Sequence, residues 1–300
     1  MKSPSNSVRR ARPLLGTIVE IEASGISESG CHAAIEAAFV AITEVQSRMS
    51  FHDPQSTLSR LNRLASCEVF QVDEWTFEVL EFAAEMYRVS RGVFDVTIAP
   101  DLQALGFLPN AQSATTRAVG FADVQLLPKR GVRFHHPQLR IDLGGVAKGF
   151  AVDQAVAALR AAGVPKGLVN AGGDLRAFGD EAFAISIRHP EHPGATLATV
   201  ALQENSLATS AHYFADRVVP GAEFGPIVHP QSAEPARTIR CATVRACSAM
   251  AADALTKVVM LTGEAALPVL EHFGADAIFV AESGEAMCSP GFHAALDVSS

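Results

Sequence analysis

A glycine-rich segment in the middle of the chain, DLGGVAKGFAVD at residues 142–153, constrains the fold more than any other part of the sequence. Residues 139–141 before it predict a short strand, and the apolar residues after it recur at helical spacing up to Gly163. Gly144 and Gly145 are therefore predicted to lie in a tight turn from strand to helix. Such a turn lets the backbone approach a ligand, and the first helical turn directs its amides toward it. The motif is equally typical of a turn that binds nothing.

The remaining patterns mix strands with helices. A second glycine turn at 171–174 separates strand patterns at 168–170 and 175–178. Further strands are predicted at 17–22, 185–187, 196–202, 238–246 and 277–280. Helices are predicted at 28–49, after the N-caps Ser56 and Asp73, and at 248–262 and 264–273. Residues 101–140 are expected to be mostly loops. Because regular βαβ alternation is missing, we predict an α+β fold in one compact domain.

The charge of the chain restricts its partners. Its formal net charge is −8, whereas nucleic-acid binders need a basic face for phosphate contacts. A small anionic ligand remains compatible if amides, a few cations or a metal ion supply positive charge. No window reaches 18 uninterrupted apolar residues, so we predict no membrane span. The first residues lack a signal peptide pattern, which predicts a cytoplasmic protein, or a periplasmic one if an export segment has been removed.

One face of the helix predicted at 248–262 carries polar groups. Asp253, Thr256 and Lys257 are spaced i, i+3 and i+4, so they share that face. A carboxylate and a hydroxyl are oxygen ligands suited to magnesium. An ordinary solvated Asp–Lys pair is the alternative interpretation. By contrast, His189 and His192 lie between prolines and indicate an exposed turn rather than a metal site.

Several separated segments together resemble ApbE-type FAD:protein FMN transferases, in order and approximate spacing. These segments are residues 12–23, 49–63, 92–107, 141–179, 207–210 and 248–259. The resemblance implies an ApbE-like, T-fold-related α+β domain at 12–300, preceded by a flexible segment at 1–11. It also implies an enzyme that binds FAD, uses Mg²⁺ and transfers FMN to a Ser or Thr hydroxyl of an acceptor flavoprotein, with release of AMP.

The resemblance further implies site residues by matching position. The cofactor-binding residues are Leu15, His52, Val93, Phe94, Asp95, Asp142, Lys148 and Ile227. The metal ligands are the side chains of Asp253 and Thr256 and the backbone carbonyl of Gly145.

The chain departs from the family pattern in three places, the first of which also puts His229 at the position of the family's aspartate. The chain has PIVHPQSA at 226–233 where the family usually has HIIDPRTG, so Pro226 replaces the histidine often assigned to catalysis. An imidazole with a pKa near 6.5 suits proton transfer, and His229 and His212 are the catalytic candidates, although neither matches by position. Lys257 stands where a metal-binding threonine is common, and its ammonium can pair with Asp253 and weaken or displace the metal. His52 replaces a tyrosine.

Three functions are therefore considered. The first is an active flavin transferase. The second is a non-catalytic relative that binds FAD. The third is an FAD pyrophosphatase, in which water replaces the acceptor hydroxyl and the products are FMN and AMP.

Overall fold

A computed structural model of the chain describes residues 7–109, 119–192, 194–212 and 225–293. The strands in these ranges are β1 (Val8–Leu14), β2 (Thr17–Ser24), β3 (Phe70–Gln71), β4 (Val124–Leu127), β5 (Gly131–Phe134), β6 (Lys166–Ala171), β7 (Asp174–Phe178), β8 (Phe183–Arg188), β9 (Thr196–Leu202), β10 (Ser206–Ala211), β11 (Ile239–Ala246), β12 (Asp276–Ala281) and β13 (Ala286–Cys288). The helices are α1 (Glu28–Met49), α2 (Thr57–Leu64), α3 (Glu74–Val89), α4 (Ala99–Ala104), α5 (Ala147–Ala161), α6 (Ala249–Thr262), α7 (Leu267–His272) and α8 (Pro290–His293). None of these helices has the length and apolar character needed to cross a membrane.

An eight-stranded antiparallel sheet forms the centre of the fold, with strand order β1-β2-β6-β7-β10-β11-β12-β13. Helices α1, α5 and α6 pack together, and α5 and α6 also contact strands β6, β7, β10 and β11. Side chains that alternate along β7 contribute to different clusters: Phe178 joins the large helix-covered core, whereas Leu175 and Ala177 join a smaller cluster with the β8–β9 ribbon and α8. The sheet is therefore covered on both faces, as the α+β prediction requires.

The ends of several helices follow directly from the sequence. Helix α1 has the predicted bounds, and Ser56 Oγ accepts from the Ser59 amide at 2.9 Å as the predicted N-cap of α2. Asp73 Oδ1 accepts from the Thr76 amide at 3.0 Å at the start of α3. A cap side chain satisfies an amide that the helix leaves without a backbone acceptor, which is why these residues mark helix starts.

The short strand predicted at 139–141 does not form. The side-chain amide of Asn62 donates to the Ile141 carbonyl at 2.8 Å and accepts from the Ile141 amide at 2.8 Å. One buried side chain thus satisfies both backbone groups that a neighbouring strand would have satisfied. The loops predicted at 101–140 are also more ordered than expected, because β4 and β5 pair there and β5 also pairs with β3.

The first hairpin overlaps the predicted flexible segment 1–11. Strand β1 begins at Val8 and pairs with β2, while residues 1–6 lie outside the described ranges. The turn consists of Leu15 and Gly16, with φ angles of 54° and 71°. Positive φ at both positions is typical of a type I′ turn, whose twist matches that of the paired strands. The Leu15 amide donates to Gln46 Oε1 of α1 at 2.7 Å, which fixes this turn to the helix.

Helices α5 and α6 approach each other closely at Gly149. A Cβ atom added at Gly149 would lie 2.1 Å from the carbonyl oxygen of Ala249 and 2.8 Å from the amide nitrogen of Met250. Because both atoms belong to the backbone, a larger residue can fit only if the two helices separate.

We therefore expect Gly149→Ala to destabilise the protein by about 1–3 kcal/mol through overpacking. A loss of stability in Gly149→Ala is informative, because alanine in a helix interior is otherwise favoured over glycine by about 1 kcal/mol. Urea unfolding measures the difference. Gly194→Ala is the matched control, because an added Cβ there meets nothing within 4 Å. Equal stability of Gly149→Ala and wild type would contradict the close contact.

Candidate active site

A cluster of two lysines and two aspartates lies beside the glycine-rich segment; the four-charge cluster consists of Lys148, Asp174, Asp253 and Lys257. The Lys148 ammonium lies 2.9 Å from Asp174 Oδ2 and 3.4 Å from Asp253 Oδ2. The Lys257 ammonium contacts Asp253 Oδ1 and donates to the Asp253 carbonyl at 3.0 Å. The side chains of Asp174 and Asp253 are 4% and 0% exposed, whereas 33% of the Lys148 side chain is exposed. Lys148 is thus the member of the cluster that reaches solvent most.

The two helices that carry the cluster cap each other. Asp253 of α6 accepts from the Gly149 amide in the first turn of α5 at 3.1 Å. Asp153 of α5 accepts from the first amides of α6, those of Ala249 at 3.0 Å and Met250 at 2.9 Å. This reciprocal capping places the positive ends of both helices next to the cluster. The sequence suggested that amides in the first turn of this helix could bind a ligand. One of them, the Gly149 amide, donates to Asp253 instead.

The charges in the cluster set the protonation of its members. Burial by itself would lower the pKa of Lys148, but Asp174 and Asp253 outweigh it and raise the pKa, so the ammonium keeps its proton. Burial opposes the charge of Asp253 as well, but Lys148, Lys257 and the Gly149 amide hold its pKa below the usual range. Burial and the neighbouring Asp253 raise the pKa of Asp174. Asp253 is therefore the firmly ionised carboxylate of the site.

The glycine-rich segment forms the next wall of the site. A Cβ added at Gly145 would lie 3.6 Å from Lys257 Cε and 3.8 Å from Phe94 Cε2, so the aliphatic stem of Lys257 and the Phe94 ring both border the segment at this point. Asp142 accepts from the Gly144 amide at 3.2 Å. Burial raises the pKa of Asp142, against the opposing effects of that amide, His52 and Lys148. Phe94, Asp142, Gly145 and Lys148 thus lie around the same segment.

Leu15 and His52 lie around the C-terminal end of α1. The Leu15 amide donates to Gln46 of α1. His52 lies three residues after the end of α1 and has a lowering effect on the pKa of Asp142. The β1–β2 turn also meets the glycine turn before Asp174, since a Cβ added at Gly172 would lie 2.4 Å from Thr17 Oγ1. Both residues therefore lie at the same end of the sheet as the cluster.

Three other predicted cofactor-binding residues lie in the loop between α3 and α4 and in the loop between β10 and β11. Val93 is half-buried, and Asp95 is buried and accepts from the Thr97 amide and hydroxyl at 2.8 and 2.7 Å. Ile227 is buried in the large hydrophobic core. Gln231 Nε2 donates to the Gly92 carbonyl at 3.0 Å, which joins the loop of Ile227 to the loop of Val93.

The two candidate catalytic histidines differ in their surroundings. His212 follows β10, its Nδ1 accepts from the Gly225 amide at 3.4 Å, and burial lowers its pKa. An Nδ1 atom that accepts a hydrogen bond assigns the proton of the neutral ring to Nε2. His229 is half-buried in a tight loop, closed by backbone hydrogen bonds from its amide to the Glu234 carbonyl and from the Ala233 amide to its own carbonyl, both 2.8 Å.

Two of the three groups expected to bind a metal, the side chains of Asp253 and Thr256, are already engaged. The Thr256 hydroxyl donates to the Asp253 carbonyl at 2.7 Å, lies 2.7 Å from Ser210 Oγ, and is fully buried. The Asp253 carboxylate contacts two ammonium groups, and Lys257 also lies against Gly145. A divalent cation requires oxygen ligands that are free to point at it. The residues present, as arranged, do not fit such a cation.

A separate group outside this site has metal-ligand chemistry. His189, Glu191 and His192 place ligand atoms within 4.8 Å of one another. They lie in the turn between β8 and β9, where Glu191 and His192 are exposed and Glu191 pairs with Arg240. This agrees with the exposed turn that the sequence predicted.

Sequence reasoning did not assign Asp174, Ser210 or Asp153 to the site. Asp174 ends the NAGGD segment and Ser210 ends the LATS segment, so both lay within stretches that had been singled out. Their roles depend on contacts with Lys148 and Thr256, which are distant in sequence. No local pattern indicates such contacts.

Comparison with known proteins places this geometry in context. The model of the ApbE family matches residues 15–279. An FAD:protein FMN transferase of Rhodobacter capsulatus is 26% identical over 99% of this chain, and the chain spans 60% of that relative's length. An FAD:protein FMN transferase of Vibrio cholerae is 27% identical over 88% of this chain and 84% of its own length. The crystal structure of the ApbE protein of Thermotoga maritima has a TM-score of 0.88 at 26% identity and covers 97% of this chain and 100% of its own.

The cluster predicts a strong energetic coupling between its members. Lys148→Met leaves two buried aspartates with one lysine. We expect the unfolding free energy to fall by about 3 kcal/mol. This value is at the low end for breaking a buried ion pair, because Lys148 is partly exposed. Adding Asp174→Asn removes the excess negative charge. We therefore expect the double variant Lys148→Met/Asp174→Asn to be more stable than the single variant Lys148→Met in urea unfolding at neutral pH.

Lys166→Met is the control for this cycle. Lys166 pairs with Glu181 at the surface, where an ion pair contributes about 0–1 kcal/mol. If the effects of Lys148→Met and Asp174→Asn simply add, the two side chains are not coupled and the cluster is described wrongly.

Proposed function

Because this chain belongs to the ApbE family, we propose that it is an FAD:protein FMN transferase. In this reaction a Ser or Thr hydroxyl oxygen of an acceptor flavoprotein attacks the phosphorus of the FMN half of FAD. The new phosphoester bond forms as the pyrophosphate bond breaks, AMP leaves, and the hydroxyl proton passes to a base. The observation that carries the proposal is the partly exposed side chain of Lys148 in the glycine-rich segment, which Phe94 also borders. Relatives that resemble this chain are named FAD:protein FMN transferases.

The cluster supplies the charge that this reaction needs. Negative charge develops on the phosphoryl oxygens, and cations fixed in a site of low water content stabilise it. Lys148 keeps its proton because Asp174 and Asp253 lie beside it, and its side chain is partly exposed. These aspartates also hold the ammonium in place before the ligand arrives. An acidic protein can therefore bind a dinucleotide through a local site.

The apolar groups at the same end of the sheet suit the flavin. Phe94 is an aromatic side chain against Gly145, His52 adds an exposed imidazole ring, and Leu15 is held at the hairpin turn by Gln46. Aromatic contacts are favourable for a flat ring system. We place the isoalloxazine ring among these side chains and the pyrophosphate at Lys148.

We assign the base to His229 rather than His212. The Nδ1 of His212 already accepts a backbone hydrogen bond, which leaves a protonated Nε2 in the neutral ring. His229 lies in the same loop as Gln231, whose side chain donates to the Gly92 carbonyl. Gly92 is close in sequence to Phe94, so this bond brings the loop of His229 to the loop of Phe94. Pro226, at the position of the family's histidine, has no group that titrates.

The magnesium dependence implied by the resemblance is not part of this proposal. The side-chain oxygen atoms of Asp253 and Thr256 are engaged with Lys148, Lys257 and Ser210. The transfer step above therefore uses only the cations of the chain.

Incubation with FAD and an acceptor flavoprotein domain tests the function. We expect AMP release together with an FMN mass increment on the acceptor, which an acceptor with its Ser or Thr replaced by Ala does not gain. Lys148→Met should lower AMP formation about 100-fold or more, as for loss of a charge-stabilising group. Lys166→Met, the same change outside the site, should retain the wild-type rate.

The other two functions give different products. AMP with free FMN and no increment identifies a pyrophosphatase, and FAD binding without AMP identifies a non-catalytic carrier. Either result contradicts the proposed transfer.

The histidine assignment has its own test. His229→Gln should lower the transfer rate by at least about 100-fold, as for loss of a general base, while FAD affinity stays near wild type. His212→Gln serves as the matched variant and should transfer FMN at close to the wild-type rate. A large loss in His212→Gln with normal His229→Gln would reverse the assignment.

A further inference from the structure

We propose that Lys257 is the resident cation of this site, so that the protein binds no divalent cation at Asp253 and transfers FMN without one. The part of this inference that concerns transfer rests on the proposed function. The part that concerns cation binding does not.

Each oxygen atom of Asp253 already has hydrogen-bond or ion-pair partners within the chain. Its Oδ1 contacts the Lys257 ammonium, and its Oδ2 accepts from the Gly149 amide at 3.1 Å and lies 3.4 Å from Lys148 Nζ. Its carbonyl oxygen accepts from Lys257 at 3.0 Å and from the Thr256 hydroxyl at 2.7 Å. A metal ion at Asp253 would have to displace donors that also fix the two helices together.

The remaining oxygen donors turn inward. Thr256 and Ser210 lie 2.7 Å apart between α6 and β10, and Thr256 is 0% exposed. The Thr256 hydroxyl uses its proton on the Asp253 carbonyl. Thr256 therefore satisfies its hydrogen bonds without a metal ion.

Charge disfavours a metal ion in the same place. Two ammonium groups already face Asp174 and Asp253, and the side chain of Lys257 is 17% exposed. Two more positive charges at this point would repel both lysines in surroundings that screen charge weakly.

The stem of Lys257 also lies against the glycine-rich segment. Its Cε is 3.6 Å from the Cβ position of Gly145, which Phe94 also borders. The Lys257 ammonium contacts Asp253 Oδ1, and the Lys148 ammonium lies 3.5 Å from Oδ1 and 3.4 Å from Oδ2. Two lysines are thus held as a pair beside the glycine-rich segment, where phosphates would bind.

Isothermal calorimetry with MgCl₂ tests cation binding without turnover. We expect no Mg²⁺ binding by the wild-type chain and measurable binding by Lys257→Thr, because a hydroxyl then stands four residues after Asp253 and one ammonium is gone. Lys166→Thr, the same change at the opposite end of the β6–β7 hairpin, should resemble wild type. Mg²⁺ binding by the wild type that is lost in Asp253→Asn overturns the inference.

Turnover in a chelator gives a second measurement that needs no variant. The wild type should form AMP and FMN-labelled acceptor at the same rate in EDTA as in Mg²⁺, whereas Lys257→Thr should require Mg²⁺. A wild-type rate that falls in EDTA and recovers with Mg²⁺ overturns the inference even if Lys257→Thr fails to fold. Absence of turnover under every condition contradicts the proposed function instead, and calorimetry then decides the cation question alone.

Discussion

The contact between α5 and α6 at Gly149 is the constraint on which the site depends. Without a side chain at this position, the backbone of α5 reaches the first turn of α6. Only at that separation can Asp253 accept from the Gly149 amide while Lys148, one residue earlier, contacts the same carboxylate. The packing of two helices thus decides where two charges meet.

The site shows how an acidic chain can offer positive charge to a ligand. The net charge of −8 describes the whole molecule, and its surface field alone gives no reason to expect a phosphate-bearing ligand. Inside the site, Asp174 and Asp253 keep Lys148 protonated, and two helix N-termini add their partial charges. The aspartates therefore serve to hold cations, and the overall charge says little about the site.

The sequence predicted the elements whose causes are local. Helix α1 and the caps at Ser56 and Asp73 follow from apolar spacing and from one side chain bonding an amide three residues on. The α+β class and a glycine turn at 171–174 between two strands were also predicted. The strand expected at 139–141 was wrong, because Asn62, 79 residues away, supplies the hydrogen bonds instead. Asp174 and its contact with Lys148 were missed for the same reason: such contacts exist only after the chain has folded.

Reciprocal capping has a consequence for how the site opens. Asp253 holds the start of α5 and Asp153 holds the start of α6, so each helix carries the acceptor for the first amides of the other. A helix that unfolds from its start as far as its aspartate therefore also releases amides at the start of its partner. Through openings of this kind we expect the amide hydrogens around Lys148 to exchange together with those around Ala249, although the two segments are distant in sequence.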